Sequence, residues 1–139
     1  MPLHPSFLRT ATPNQRMGAF AIDLLLINFP IAILLNPAVT GAPSGPLVLL
    51  AVFGGLLLAF AAFDGSQRGA TPGKRLVGTR VVDAETGEPI GLGRGLLRRV
   101  VHFLGAVPLY AGWWWIFTNE RGRGWHDLAA RTLVVRAQR

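Results

Sequence analysis

The stretch MGAFAIDLLLINFPIAILL, Met17 to Leu35, decides the fold, because it is a long apolar run broken by one carboxylate, Asp23, with Arg16 at its entrance. At about 1.5 Å per helical residue the run matches the ~30 Å hydrocarbon core of a bilayer, so it reads as a membrane span. A carboxylate there costs on the order of 2.5 to 3.5 kcal/mol by insertion scales, so Asp23 is expected to face protein or water and to have a use. A cleaved signal sequence is the competing reading. The run is longer than a secretory h-region, it carries Asp23, and a second apolar run follows it closely, so cleavage is not expected.

The composition agrees with a membrane setting. Half of the 139 residues are hydrophobic and only 15% are charged, against roughly 25% charged in soluble domains. The mean hydropathy of +0.38 is modest, which implies a sizeable polar part outside the lipid. The net charge of +7 does not suggest nucleic acid, since the basic residues flank apolar runs and form no stripe interleaved with aromatics. The expected partners are the bilayer and its anionic headgroups, together with a second copy of the chain or a larger membrane complex. No cysteine is present, which excludes disulfides, a thiolate nucleophile and cysteine-based metal centres.

Thr12 or Asn14 is positioned to cap a helix starting near Gln15. A breaker-rich, uncharged loop, 36–46, turns the chain back into a second span over 47–63, where Ala51, Gly55 and Ala59 form a small-residue ridge suited to close packing, with the first span as expected partner. A polar segment, 64–95, follows. Within it Leu76 to Val82 reads as a strand and 83–87 as a turn, and Thr132 to Val135 reads as a second strand able to pair with the first.

In segment 96–117 and just before it, Leu96, Leu97, Val100, Val101 and Leu104 alternate at helical spacing with a polar stripe of Arg94, Arg98 and His102. This predicts an amphipathic helix in the headgroup plane, its arginines toward lipid phosphate. Gly105 and Pro108 interrupt it. The remaining 109–117 piece, about 14 Å as a helix, is too short to cross alone. Its aromatics Tyr110, Trp113, Trp114 and Trp115 suit the membrane interface. One continuous helix over 100–117 is the alternative. The positive-inside rule favours a re-entrant segment, because a third crossing would export Arg121, Arg123, Arg131, Arg136 and Arg139 of the basic tail, 118–139. Both termini are then cytoplasmic. The expected fold is an all-α membrane protein of a single domain, 1–139: an antiparallel transmembrane hairpin, a re-entrant or third membrane segment and a small cytoplasmic β element.

Arg16 and Asp23 share a helix face but stand about 10.5 Å apart along the axis. Each therefore needs another partner: Asp127 for Arg16, and Lys74, Arg75, Arg98, Arg99 or His102 for Asp23. The cluster reads either as a structural clamp or as an ion-handling carboxylate. The run Thr71-Pro72-Gly73-Lys74-Arg75 departs from a nucleotide-binding loop in its glycine spacing and in having Arg75 where Ser or Thr is needed. Lys74 and Arg75 are expected at lipid phosphate or at Asp64, in company with Arg94, Arg98 and Arg99. His4, His102 and His126 lack metal-ligand spacing, and no nucleophile accompanies the His126-Asp127 pair. Neither an enzyme nor a cofactor is expected.

Arg16, Asp23, the run Gly69 to Asp83 (GATPGKRLVGTRVVD), Leu92-Gly93-Arg94, Leu97-Arg98 and the WHDLAA element from Trp125 to Ala130 together resemble the RDD family of small bacterial membrane proteins. That family is named for one arginine and two aspartates, which map here to Arg16, Asp23 and Asp127. Arg131 departs from the pattern, for the family commonly has glycine there. The resemblance implies a bacterial cytoplasmic-membrane location and, for some members, a transport role including cation and proton exchange. The leading expectation is an accessory or assembly component; a cation or proton transporter using Asp23 is the alternative.

Overall fold

The computed structural model describes residues 8–41, 45–106 and 111–137. Helix α1, Pro13–Asp23, opens on a capping box: Thr12 Oγ1 accepts from the Gln15 amide at 3.2 Å, and Gln15 Oε1 accepts from the Thr12 amide at 3.1 Å. A π-helical turn, Leu24–Asn28, joins it to α2, Phe29–Leu34. Pro30 explains the wide turn, since its missing N–H and its ring break the regular ladder in the preceding residues. Asn36 caps the short α3, Pro37–Thr40, which ends at Gly41 with φ 68°. Helix α4, Pro46–Gly65, runs for 20 residues.

Two helical runs, Pro13–Leu34 and Pro46–Gly65, are long and apolar enough to cross a membrane. Only 11% and 6% of their most apolar windows is buried within the chain, whereas the core helix of a soluble protein would be mostly covered. Leu25, Leu26, Phe29, Leu34, Leu47 and Leu50 stand exposed along them.

Beyond α4 lie α5, Pro72–Leu76, and β1, Thr79–Asp83. Leu76 ends the helix, so the strand starts later than its β-branched composition suggested, and Thr71 caps α5 by accepting from the Lys74 amide. Helix α6, Gly91–Ala106, follows. Helix α7, Ala111–Trp114, continues as a 3₁₀ turn, Trp115–Phe117. Helix α8, Trp125–Ala129, leads into β2, Thr132–Arg136. The strands pair antiparallel, Thr79 opposite Arg136 and Asp83 opposite Thr132. Residues 9–11 lie along the outer edge of β2, with Ala11 N donating to Val134 O and Arg136 N to Arg9 O, both at 2.9 Å. The start of α1, the end of α4 and both strands therefore gather at one polar end of the molecule. A small core of Ala11, Val81, Ile90 and Val134 closes it.

Three expectations change. Ala51, Gly55 and Ala59 are exposed and α4 does not take α1 as its neighbour; α4 packs along α6 instead. The close approach comes lower, where a Cβ on Gly95 would stand 2.4 Å from Ala61 O and one on Gly65 2.5 Å from Gly91 O. Helix α6 also turns opposite to its predicted pose: Leu97, Val100, Phe103 and Leu104 point outward while Arg98 is buried. Finally, a continuous 100–117 helix is excluded, since residues seven apart would be about 10.5 Å apart along its axis, yet a Cβ on Gly112 would lie 3.2 Å from Gly105 Cα. The chain doubles back between α6 and α7.

At the departure noted above, Arg131 has φ 51°, the sole positive φ of a non-glycine residue among those described. A glycine there would adopt that conformation without strain.

Candidate functional site

Three carboxylates project into the polar end from three different helices. Asp64, at the last turn of α4, is fully buried and accepts from Lys74 Nζ, from Arg98 Nε at 3.2 Å and from Arg99 Nη2 at 2.8 Å. A carboxylate at a helix C-terminus opposes the helix dipole. Three cations offset that cost. Asp127, in the first turn of α8, is also fully buried; Arg16 Nη2 and Arg98 Nη1 bond its two oxygens, and the Gly124 amide donates to it at 3.0 Å. Thr132 Oγ1 lies 3.3 Å from the same carboxylate and accepts from Arg98 Nη1 at 2.9 Å. Arg98 thus ties α4 to α8, and Arg16 ties α1 to α8 while donating to Gly122 O at 2.5 Å.

Asp23 is engaged differently. Thr71 Oγ1 donates to one oxygen at 2.6 Å and the Gly73 amide to the other at 2.7 Å. No cation expected as its partner bonds to it among the described residues. The physical reason is packing: a Cβ on Gly73 would come within 2.2 Å of Ala19 O and 2.9 Å of the Asp23 carboxyl, so α5 lies directly on α1 and presents its backbone N–H first. Asp23 forms one wall of a cavity of about 50 Å³, whose other walls include Arg16, Lys74, Arg98, Arg99 and His102. His102 and His126 meet edge to face at 4.8 Å, and Phe20 bridges His102 and Trp113.

Burial dominates the titration of Lys74, His102 and His126. It pushes Lys74 down to about 7 despite the attraction of Asp64. It also drives His102 down to about 3 and His126 well below its ordinary value, and the surrounding arginines add to both shifts. At neutral pH both imidazoles are uncharged.

Sequence reasoning brings Arg16 and Asp127 together, and the structure places them in contact. Of the two partners expected for Lys74, lipid phosphate or Asp64, the structure shows Asp64; for Arg98 and Arg99 the lipid-facing expectation gives way, because Asp64 and Asp127 claim their charges inside the fold. Arg94 pairs with Asp83 and donates to Ala130 O and Arg131 O, which holds the turn before β2 on α6. Arg75 is exposed, donates to Ala70 O at 3.2 Å and lies over Phe63. Trp114 and Trp115 are exposed and Trp113 is half-buried, while Tyr110 falls outside the described residues. Asp64 was named from sequence only as a partner for Lys74 or Arg75, not as the shared hub, and Thr71, which supports Asp23, and Thr132, which supports Asp127 and Arg98, were not singled out. The signal was available, since Asp64 terminates the second apolar run much as Asp23 interrupts the first.

The RDD family model matches residues 10–131. A protein of Bacillus subtilis (strain 168), described as uncharacterized protein YxaI, is 33% identical over 89 residues, 64% of this chain and 54% of the relative. The matched region thus spans about half the length of that curated relative. No solved structure matches the chain. With the family pattern covering Arg16, Asp23 and Asp127 alike, the chain belongs to the RDD family, whose members are membrane-associated.

Proposed function

We propose that the chain is a multi-pass protein of a bacterial cytoplasmic membrane, its N-terminus cytoplasmic, that acts as a non-catalytic accessory or assembly component. Its Arg/Asp cluster is a structural clamp in this reading. The supporting observation is that Asp64 and Asp127 bond Arg16 of α1, Lys74 of α5 and the adjacent Arg98 and Arg99 of α6. Such a network locks α1, α4, α5, α6 and α8 together, and it leaves the apolar faces of α2, α4 and α6 turned outward for lipid or a partner helix.

One observation favours transport as a second reading: Asp23 lines a cavity and bonds no cation among the described residues. The cationic walls repel a metal cation, so this reading takes a proton as its ion. Reconstituted vesicles decide. A carrier gives ion-driven pH changes that disappear in Asp23→Asn, whereas the accessory reading gives no flux and a stable complex recovered by mild detergent extraction.

A further inference from the structure

We propose that the cavity beside Asp23 binds one small inorganic anion of the halide or nitrate class, taken up together with a proton on Lys74. The charge inventory carries this. Arg16, Lys74, Arg98 and Arg99 face the cavity with four positive charges, while Asp23 on its wall and Asp64 and Asp127 behind it return three. One positive charge is left without a counter-charge in a desolvated space, where it is costly.

Two events remove that excess. Guanidinium groups do not deprotonate in proteins, so Lys74 alone can shed a proton; otherwise an anion must enter. Arg99, which bonds Asp64 and lies over the Phe60 ring, has a buried Nε with no hydrogen-bond partner among the described residues, as do Arg80 and Arg123 away from the cavity, so the charge inventory carries the argument. Asp23 opposes an anion only in part, since the Thr71 hydroxyl and the Gly73 amide each already hold one of its oxygens. A space of about 50 Å³ exceeds the ~10 to 15 Å³ on the same measure that one water needs. A small anion fills such a space more closely than a phosphodiester headgroup with its glycerol, and the phosphatidylglycerol arm of the test below separates the two.

The pH dependence follows from the groups that face Lys74: Arg16 and Asp23 from α1, Asp64 from α4, Arg98, Arg99 and His102 from α6, and His126 and Asp127 from α8. The histidines are neutral across the working range, as described above. Burial holds Lys74 near neutrality, at about 7, so the anion binds best below pH 7 and more weakly as Lys74 loses its proton above it.

The test uses the purified full chain in detergent, with bromide as probe and gluconate as the bulky control anion at constant ionic strength. Bromide stabilises the protein at pH 6, and its Kd rises roughly tenfold per pH unit once Lys74 has deprotonated. Lys74→Arg, which cannot shed the proton, binds bromide with a flat pH profile. Asp23→Asn tightens binding by about tenfold or more, because it removes an opposing charge. The idea is overturned if bromide and gluconate act alike at pH 6, if Asp23→Asn abolishes the effect, or if added phosphatidylglycerol competes with bromide. Should Lys74→Arg fail to fold, the wild-type profile decides, and a Kd that is constant from pH 6 to 9 overturns it.

Discussion

Replacing Asp64 by asparagine keeps the shape of the hub and removes its charge. Lys74, Arg98 and Arg99 then lose the carboxylate they share, but they do not suffer equally. Arg98 retains Asp127, and Lys74 can release its proton. Arg99 can do neither. Breaking a buried pair so that one charge is stranded costs about 3 to 5 kcal/mol, which for a chain of this size corresponds to a fall of about 10 to 20 °C in Tm. The penalty must also depend on pH. Burial lowers Lys74 to about 7 with Asp64 opposing the shift, so loss of Asp64 lowers it further. Between that new value and 7, Lys74 is protonated in the folded wild type and neutral in the folded variant. The variant gains stability as pH rises through this window while the wild type does not, so the penalty at pH 5 exceeds the penalty at pH 8. Tryptophan-monitored thermal unfolding of the detergent-solubilised protein measures both quantities. A Tm loss below about 3 °C that is the same at both pH values would refute the argument, since it would mean that outside water already balances these cations.

Arg131→Gly, which relieves a φ of 51° while the backbone carbonyl keeps its bonds to Arg94 and the Ala84 amide, is expected to raise stability by roughly 1 kcal/mol; an unchanged or lower Tm counts against strain at that turn. Gly95→Ala puts a methyl 2.4 Å from Ala61 O and must push α6 off α4, costing about 1 to 3 kcal/mol, whereas Gly54→Ala meets open space and is expected to leave Tm unchanged or slightly higher. At Asp83 burial pushes the pKa up, but the hydrogen bonds from Arg94 and the Thr86 and Glu85 amides outweigh it and hold it at about 2. Its stabilising share is therefore full above its unfolded value near 3.8 and is lost as pH falls through 2, so the Tm gap between wild type and Asp83→Asn narrows over that interval. Single cysteines at the exposed Thr86 and Ala137, placed in a chain that has none, should react alike with an impermeant thiol reagent in intact cells and in opened vesicles; opposite accessibility would contradict the paired strands.

The apolar runs, the cap at Thr12, the turn after Val82, the pairing of 76–82 with 132–135 in all but its first residues, and the approach of Arg16 to Asp127 were legible because each rests on local chemistry or on a charge with few candidate partners. The direction of α6 was not. A stripe of Arg94, Arg98 and His102 opposite a leucine and valine stripe has the same periodicity whether the helix lays its arginines on headgroups or folds them inward, since 3.6-residue spacing says which residues share a face but not which medium that face meets. The medium is set by two facts outside that periodicity. Asp64 and Asp127 carry buried negative charge that no residue on their own helices neutralises, and Leu97 and Leu104 of α6 are left exposed by the described fold. Two fully buried carboxylates, Asp64 and Asp127, require cations from somewhere, and Arg98 and Arg99 are the basic pair on α6 that reach them. Reading the carboxylates first, and asking which arginines they must recruit, would have turned α6 the right way round from sequence alone.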